Sequence, residues 1–169
     1  MKLFVHLFFL ILMFSCIKPI PQLPSNKENK NDTISNNLLK INELLTYKEN
    51  KLIQKFAKTE HPDFIKNKMG FWYKIQKNNN TTLIEEKDKC SVFIKISNFN
   101  GDKLKEEKKN VTLGKKELIS GVEECIKLMS KGDRATIIVP WYLAYGLKGN
   151  GSEIAPYTSL IIEIKITND

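Results

Sequence analysis

Few side chains in this sequence could do chemistry, and the most prominent is a tyrosine. Tyr145 stands in "VPWYLAYGLKGNGSEIAP", residues 139–156, beside Gly146, Gly149 and Gly151. A glycine-rich loop cradles phosphate when a helix begins directly after it, because free amide groups and the helix dipole then meet the anion. Here Ala155-Pro156 and a β-branched run follow, so the loop is not read as a phosphate cradle. The other reactive groups form no set. His6 lies in an apolar N-terminal run and His61 precedes Pro62. Cys90 and Cys125 have neither metal-ligand spacing nor a histidine nearby, and read as small buried hydrophobes. A Ser-His-Asp set and a thiol–imidazole pair are both missing. Any reaction here must need no side-chain nucleophile, no metal and no cofactor.

The elements that must position Tyr145 follow from periodicity. "GFWYKIQ", "CSVFIKIS", "DRATIIVP" and "SLIIEIKI" read as strands, with alternation over Val92, Ile94 and Ile96. "NFNGDK" is a turn by its Asn-Gly pair, and "KNVTLG" reads as a short strand. Leu118, Val122, Ile126 and Met129 fall at helical spacing, with a stop at Gly132. Strands, one helix, then strands predict an α+β fold, an antiparallel sheet wrapped on one short helix. Upstream, Leu38, Ile41, Leu45, Leu52 and Phe56 predict an amphipathic helix capped by Ser35 or Asn36 and frayed over residues 47–50. Its apolar stripe is expected to pack on the following domain or on a partner.

The chain has 169 residues, 41% apolar and 27% charged, with a net charge of +8. That suits one domain with accessories. The lysines are scattered and Arg134 is the single arginine, so bidentate reading of bases or phosphates is poorly provided for and nucleic acid is not an expected partner. The opening "MKLFVHLFFLILMFSC" carries an apolar run at residues 3–14, short for a membrane span and suited to a signal peptide. It resembles a bacterial lipoprotein signal in which Cys16 carries lipid; an ordinary signal or an uncleaved anchor is the other reading. The expected organisation is a signal at 1–16, a proline-rich polar tether at 17–34, a helical segment at 35–67 and the main domain at 68–169. The expected location is the bacterial envelope, lipid-anchored and facing the periplasm.

Residues 113–166, "LGKKELISGVEECIKLMSKGDRATIIVPWYLAYGLKGNGSEIAPYTSLIIEIKI", resemble the C-terminal half of an FKBP-type peptidyl-prolyl isomerase. The matching motifs are "LGKKELISGVEE", "LMSKGDRA", "LAYG" and the closing "SLIIEI". The leader, helix and "GFWYKI" resemble the gliding-motility-associated lipoprotein branch of that family. The resemblance implies an apolar pocket for proline-containing polypeptide segments, working without cofactor. It makes Tyr145 a hydroxyl donor to a substrate carbonyl and the Ile119 amide a second donor, whereas from the residues alone Tyr145 could equally pin the loop. It puts Ile94, Leu104, Val111, Leu113, Leu118, Val122, Ile154 and Ile162 at or near the pocket, positions that would otherwise pass for core.

Departures from the family pattern are specific. Val122 stands where a large aromatic floor is common, Ile94 where tyrosine is usual, and Leu104-Lys105 where phenylalanine-aspartate is expected. Glu153 adds a charge to the loop. The expected function is a membrane-anchored isomerase for exported proteins; a catalytically weak binding module of an envelope assembly is the alternative.

Overall fold

The computed structural model describes residues 30–79 and 82–167. The signal, Cys16 and most of the tether lie outside the described residues. The chain divides into two compact units, residues 1–40 and 41–169. What is described of the first is the opening of helix α1 (Lys30–Glu60), where Ile34, Leu38 and Leu39 are exposed.

The second unit holds the rest of α1 and six strands: β1 (Ile65–Lys66), β2 (Trp72–Gln76), β3 (Lys89–Ser97), β4 (Lys103–Thr112), β5 (Arg134–Val139) and β6 (Leu160–Thr167). Helix α2 (Ser120–Ile126) sits between β4 and β5, and a 3₁₀ turn (Trp141–Leu143) follows β5. The strands form one antiparallel sheet in the order β1-β2-β5-β6-β3-β4, the α+β architecture expected.

Alternation sends every second side chain to each face. Register aligns Ile75, Ala135, Ile164, Ile94 and Glu107 across one row, and Tyr73, Ile137, Ile162, Ile96 and Lys105 across the next. This inner face packs on Val122, Cys125 and Ile126 of α2 and on Met129. A Cβ on Gly121 would lie 2.6 Å from Val139 Cγ1, so glycine lets α2 press close to β5. Both described cysteines are buried and free; burial pushes the Cys125 thiol up to about 12, so it stays protonated.

The helices and β4 differ from expectation. α1 runs unbroken through residues 47–50, and Ser35 and Asn36 lie within it rather than capping it. Its buried residues are Ile53 and Ala57, with Phe56 partly covered; Leu38, Ile41 and Leu52 of the expected stripe are more than half exposed. The sheet chose another face. Ile53 and Ala57 meet Trp72 and Ile138 on the outer side of the sheet, and Glu49 and Asn50 find polar partners there. Helix α2 has only seven residues, so Leu118 precedes it and Met129 follows it. β4 is a ten-residue edge strand, paired with β3 from Lys89 to Ser97 with one register shift at Ile96/Ser97.

Candidate functional site

A cleft of about 290 Å³ opens between the sheet's inner face and the start of α2. Ile94 and Ile96 of β3 form its base, Leu118, Ile119 and Val122 one wall, and Tyr145 its mouth. β4 supplies the opposite wall through Lys105, Glu107 and Lys109, because alternate residues of an edge strand face the same way.

Each part is held by local bonding. The Glu123 carboxylate accepts from the Gly114 and Lys116 amides at 2.9 and 3.2 Å, and Glu117 accepts from the Thr112 amide at 2.8 Å. These bonds fix the segment that delivers Leu118 and Ile119. Ile119 is extended, φ −65° and ψ 148°, and its carbonyl accepts from the Val122 and Glu123 amides. Among the described residues its own N–H has no acceptor, as befits the start of a helix.

The Tyr145 loop is anchored at both ends. The Gly146 amide donates to the Trp141 carbonyl at 2.9 Å and the Tyr157 amide to the Gly146 carbonyl at 3.0 Å. Asn150 Oδ1 accepts from the Ile154 amide at 2.8 Å, closing a tight return. Gly149 has φ +67°, and a Cβ there would lie 2.1 Å from the Ile154 carbonyl, so no other residue fits the turn. α1 braces the loop's base: the Tyr142 hydroxyl donates to Asn50 Oδ1 at 2.8 Å, while the Ser159 hydroxyl donates to Glu49 and accepts from the Trp141 amide.

Tyr145 is half-buried, and its hydroxyl makes no hydrogen bond among the described residues. Burial above all raises its pKa; Lys105 opposes this, and Glu107 and Glu153 add to it. The hydroxyl therefore remains a donor at neutral pH. Lys105 pairs with Glu107 at 2.9 Å, and Lys109 donates to the Glu117 carbonyl at 2.8 Å. The wall is thus charged but internally matched.

The structure brings Ile94, Leu118, Ile119, Val122 and Tyr145 to this cleft. Leu113, Ile154 and Ile162 are buried in the core beneath, and Leu104 packs against that core. Val111 lines a different cleft of about 470 Å³ with Lys89, Cys90, Ser91, Asn110 and Thr112; it is larger, but it holds neither Tyr145 nor Ile119. Ile96, Glu107, Lys109, Lys116 and Glu117 also line the main cleft without having been singled out. The signal for Ile96 was the same alternation that marks Ile94. For the charged residues none existed, since solvated lysines and glutamates look alike in sequence.

The cleft is an aliphatic shelf with a charged edge and two donors that have no partner among the described residues, and comparisons agree with it. The family model of FKBP-type peptidyl-prolyl cis-trans isomerases matches residues 80–167. The macrophage infectivity potentiator of Trypanosoma cruzi is 27% identical over 160 residues, covering 92% of this chain and 77% of that protein. Human peptidyl-prolyl cis-trans isomerase FKBP10 is 43% identical over 47 residues, 28% of this chain and 8% of that protein. The N-terminal domain of FKBP42 from Arabidopsis thaliana superposes with a TM-score of 0.51 at 25% identity, covering 57% of this chain and 83% of that one. With its donor pair, aliphatic shelf and matched sequence, the chain belongs to the FKBP-type peptidyl-prolyl cis-trans isomerases, enzymes that turn the bond before proline.

Proposed function

We propose that this isomerase serves exported polypeptides while tethered to a membrane, and that Tyr145 and the Ile119 amide hold the turning bond. The bond to proline resists rotation by roughly 18–20 kcal/mol because twisting breaks amide resonance. A twisted amide is less polar than a planar one, so a water-poor cleft favours it over the ground state. The Tyr145 hydroxyl would donate to a substrate carbonyl at the rim and the Ile119 N–H to a second. Each such bond formed only in the twisted state is worth up to about tenfold in rate for every 1.4 kcal/mol. No covalent intermediate is needed.

The observation that carries the reading is the cleft itself, where Ile94, Ile96, Leu118, Ile119 and Val122 surround two donors with no partner among the described residues. Leu104, Val111, Leu113, Ile154 and Ile162 lie around it and would set its shape from behind. The membrane role rests on the apolar run at residues 3–14, followed by Ser15 and Cys16; in this reading the domain would face the periplasm of a bacterial envelope. The test is refolding of a protein limited by proline isomerisation. Micromolar chain should speed it; binding of the unfolded client without acceleration would make the domain a binding module instead. For the tether, Cys16→Ser should move the chain from the membrane to the soluble fraction, and retention would show that residues 3–14 anchor it unaided.

A further inference from the structure

The side of the molecule turned away from the cleft carries features the isomerase does not use. α1 packs on the sheet through Ile53 and Ala57. At 3.6 residues per turn, Leu44, Lys48, Lys51, Lys55 and Lys58 then point the opposite way, outward, flanked by Ile41, Tyr47 and Leu52. All eight are exposed, the four large apolar ones between 52% and 62%. Among the described residues no carboxylate lies on this face: Glu49 turns inward to Ser159, and Glu43 lies to the side. Beside the helix runs a groove of about 450 Å³ lined by Leu45, Lys48, Glu49, Leu52, Trp141 and Tyr157, in which the Glu49 carboxylate is taken up by Ser159.

The uncovered part of the same outer sheet face repeats the theme. Register aligns Gln76, Arg134, Lys165, Phe93 and Lys108 in one row. Arg134 stands directly opposite Lys165, and neither has an acidic partner among the described residues. Like charges placed so are destabilising. The next row is balanced by contrast: Lys95 pairs with Glu163 at 2.8 Å and Lys74 with Asp63. Two cations set opposite each other, with Glu163 the one carboxylate among the described residues lining the same shallow cleft, leave this row net positive, an arrangement the fold itself does not require.

We propose that this side of the domain, the outward face of α1 with the Arg134–Lys165 row behind it, is a docking surface for an anionic lipid bilayer. Lysines interleaved with leucine, isoleucine and tyrosine on one helix face are what an interface-lying helix requires: apolar side chains enter the headgroup boundary while ammonium groups meet lipid phosphate. The sheet row lies further back by roughly one helix diameter, about 10–12 Å, a little beyond the Debye length of about 8–10 Å, so its charge adds a weaker pull. A second copy is a poorer fit, because a two-fold contact would set four lysines against four. The inference does not depend on the isomerase reading or on Cys16.

The test is partition of the full chain onto vesicles of phosphatidylcholine alone and of phosphatidylcholine mixed with phosphatidylglycerol. Residues 3–14 act alike on both, so the ratio of the two partition constants reports charge alone, and the lysine variants assign it to this face rather than to Lys2, Lys18 or Lys27. We expect a ratio above about tenfold that collapses in high salt, and a loss of up to roughly fivefold for each lysine removed. Lys48→Gln, Lys51→Gln, Lys55→Gln and Lys58→Gln together should bring the ratio near one with refolding catalysis intact. Arg134→Gln with Lys165→Gln should lower it less. A ratio near one for the parent chain, or one that high salt leaves unchanged, would overturn the proposal without reference to any variant. Self-association in lipid-free solution that Leu44→Gln abolishes would overturn it too, since the face would then belong to a second copy.

Discussion

The two faces of the one sheet are made from alternate residues of the same strands, yet they differ in kind. The inner face is apolar across β2, β5, β6 and β3 and turns charged only at β4, where Lys105 and Glu107 edge the cleft. The outer face runs from an apolar end under α1, through ion pairs, to the unbalanced row at Arg134 and Lys165. A sheet two residues deep in its pattern can thus serve a buried cleft and an outward surface without either compromising the other. That independence can be broken by experiment.

The largest effect should come from a residue that serves both faces. Asp133 is fully buried, accepts from the Ser130 and Asn78 amides at 2.8 Å each, and lies 3.6 Å from Lys77. It fixes the turn that launches β5, and Asp133→Ala removes the acceptor both amides share. A loss of about 3 kcal/mol in denaturant unfolding is expected, with lipid binding and catalysis falling together. If only one function fell, Asp133 would act on that face locally rather than through the shared sheet.

A cleaner break is Tyr145→Phe, which removes one hydroxyl from the inner side. Proline-limited refolding catalysis should drop about tenfold at unchanged unfolding midpoint and unchanged vesicle partition. Because the raised pKa keeps this hydroxyl protonated below pH 10, the donor is lost only as pH rises through that higher value. The parent rate should therefore stay flat from about pH 6 to 9. A rate that titrates in that window, or an unchanged rate in the variant, would take Tyr145 out of the mechanism.

The smallest effect sharpens where the two sides meet. Asn50 reaches from α1 to the Tyr142 hydroxyl, three residues before Tyr145. Asn50→Leu should cost about 1 kcal/mol of stability and lower kcat/KM two- to fivefold, as the loop's base loosens. Loss of stability alone would limit α1 to packing.

Much of this was readable in advance. Alternation and helical spacing put Ile94 and Val122 on inward faces, and the glycine-rich loop drew notice to Tyr145, because those signals are local; it was the family resemblance that put them at a pocket. Glu107 and Lys109 could not, since only pairing with β3 brings their strand over the cleft. The buried face of α1 departs from the expected stripe for a related reason. Apolar residues occur on more than one side of that helix, and its burial was settled by Trp72 and Ile138 together with polar partners for Glu49 and Asn50.

What the amino-acid order alone determined was the strands β2, β3, β5 and β6 and the presence of two helices, because each depends on neighbours a few residues apart. Which side of α1 is covered, which charges edge the cleft and which are left unbalanced on the far face were decided by tertiary structure. Those outcomes depend on register and on contacts between residues tens of positions apart, where sequence spacing carries no distance.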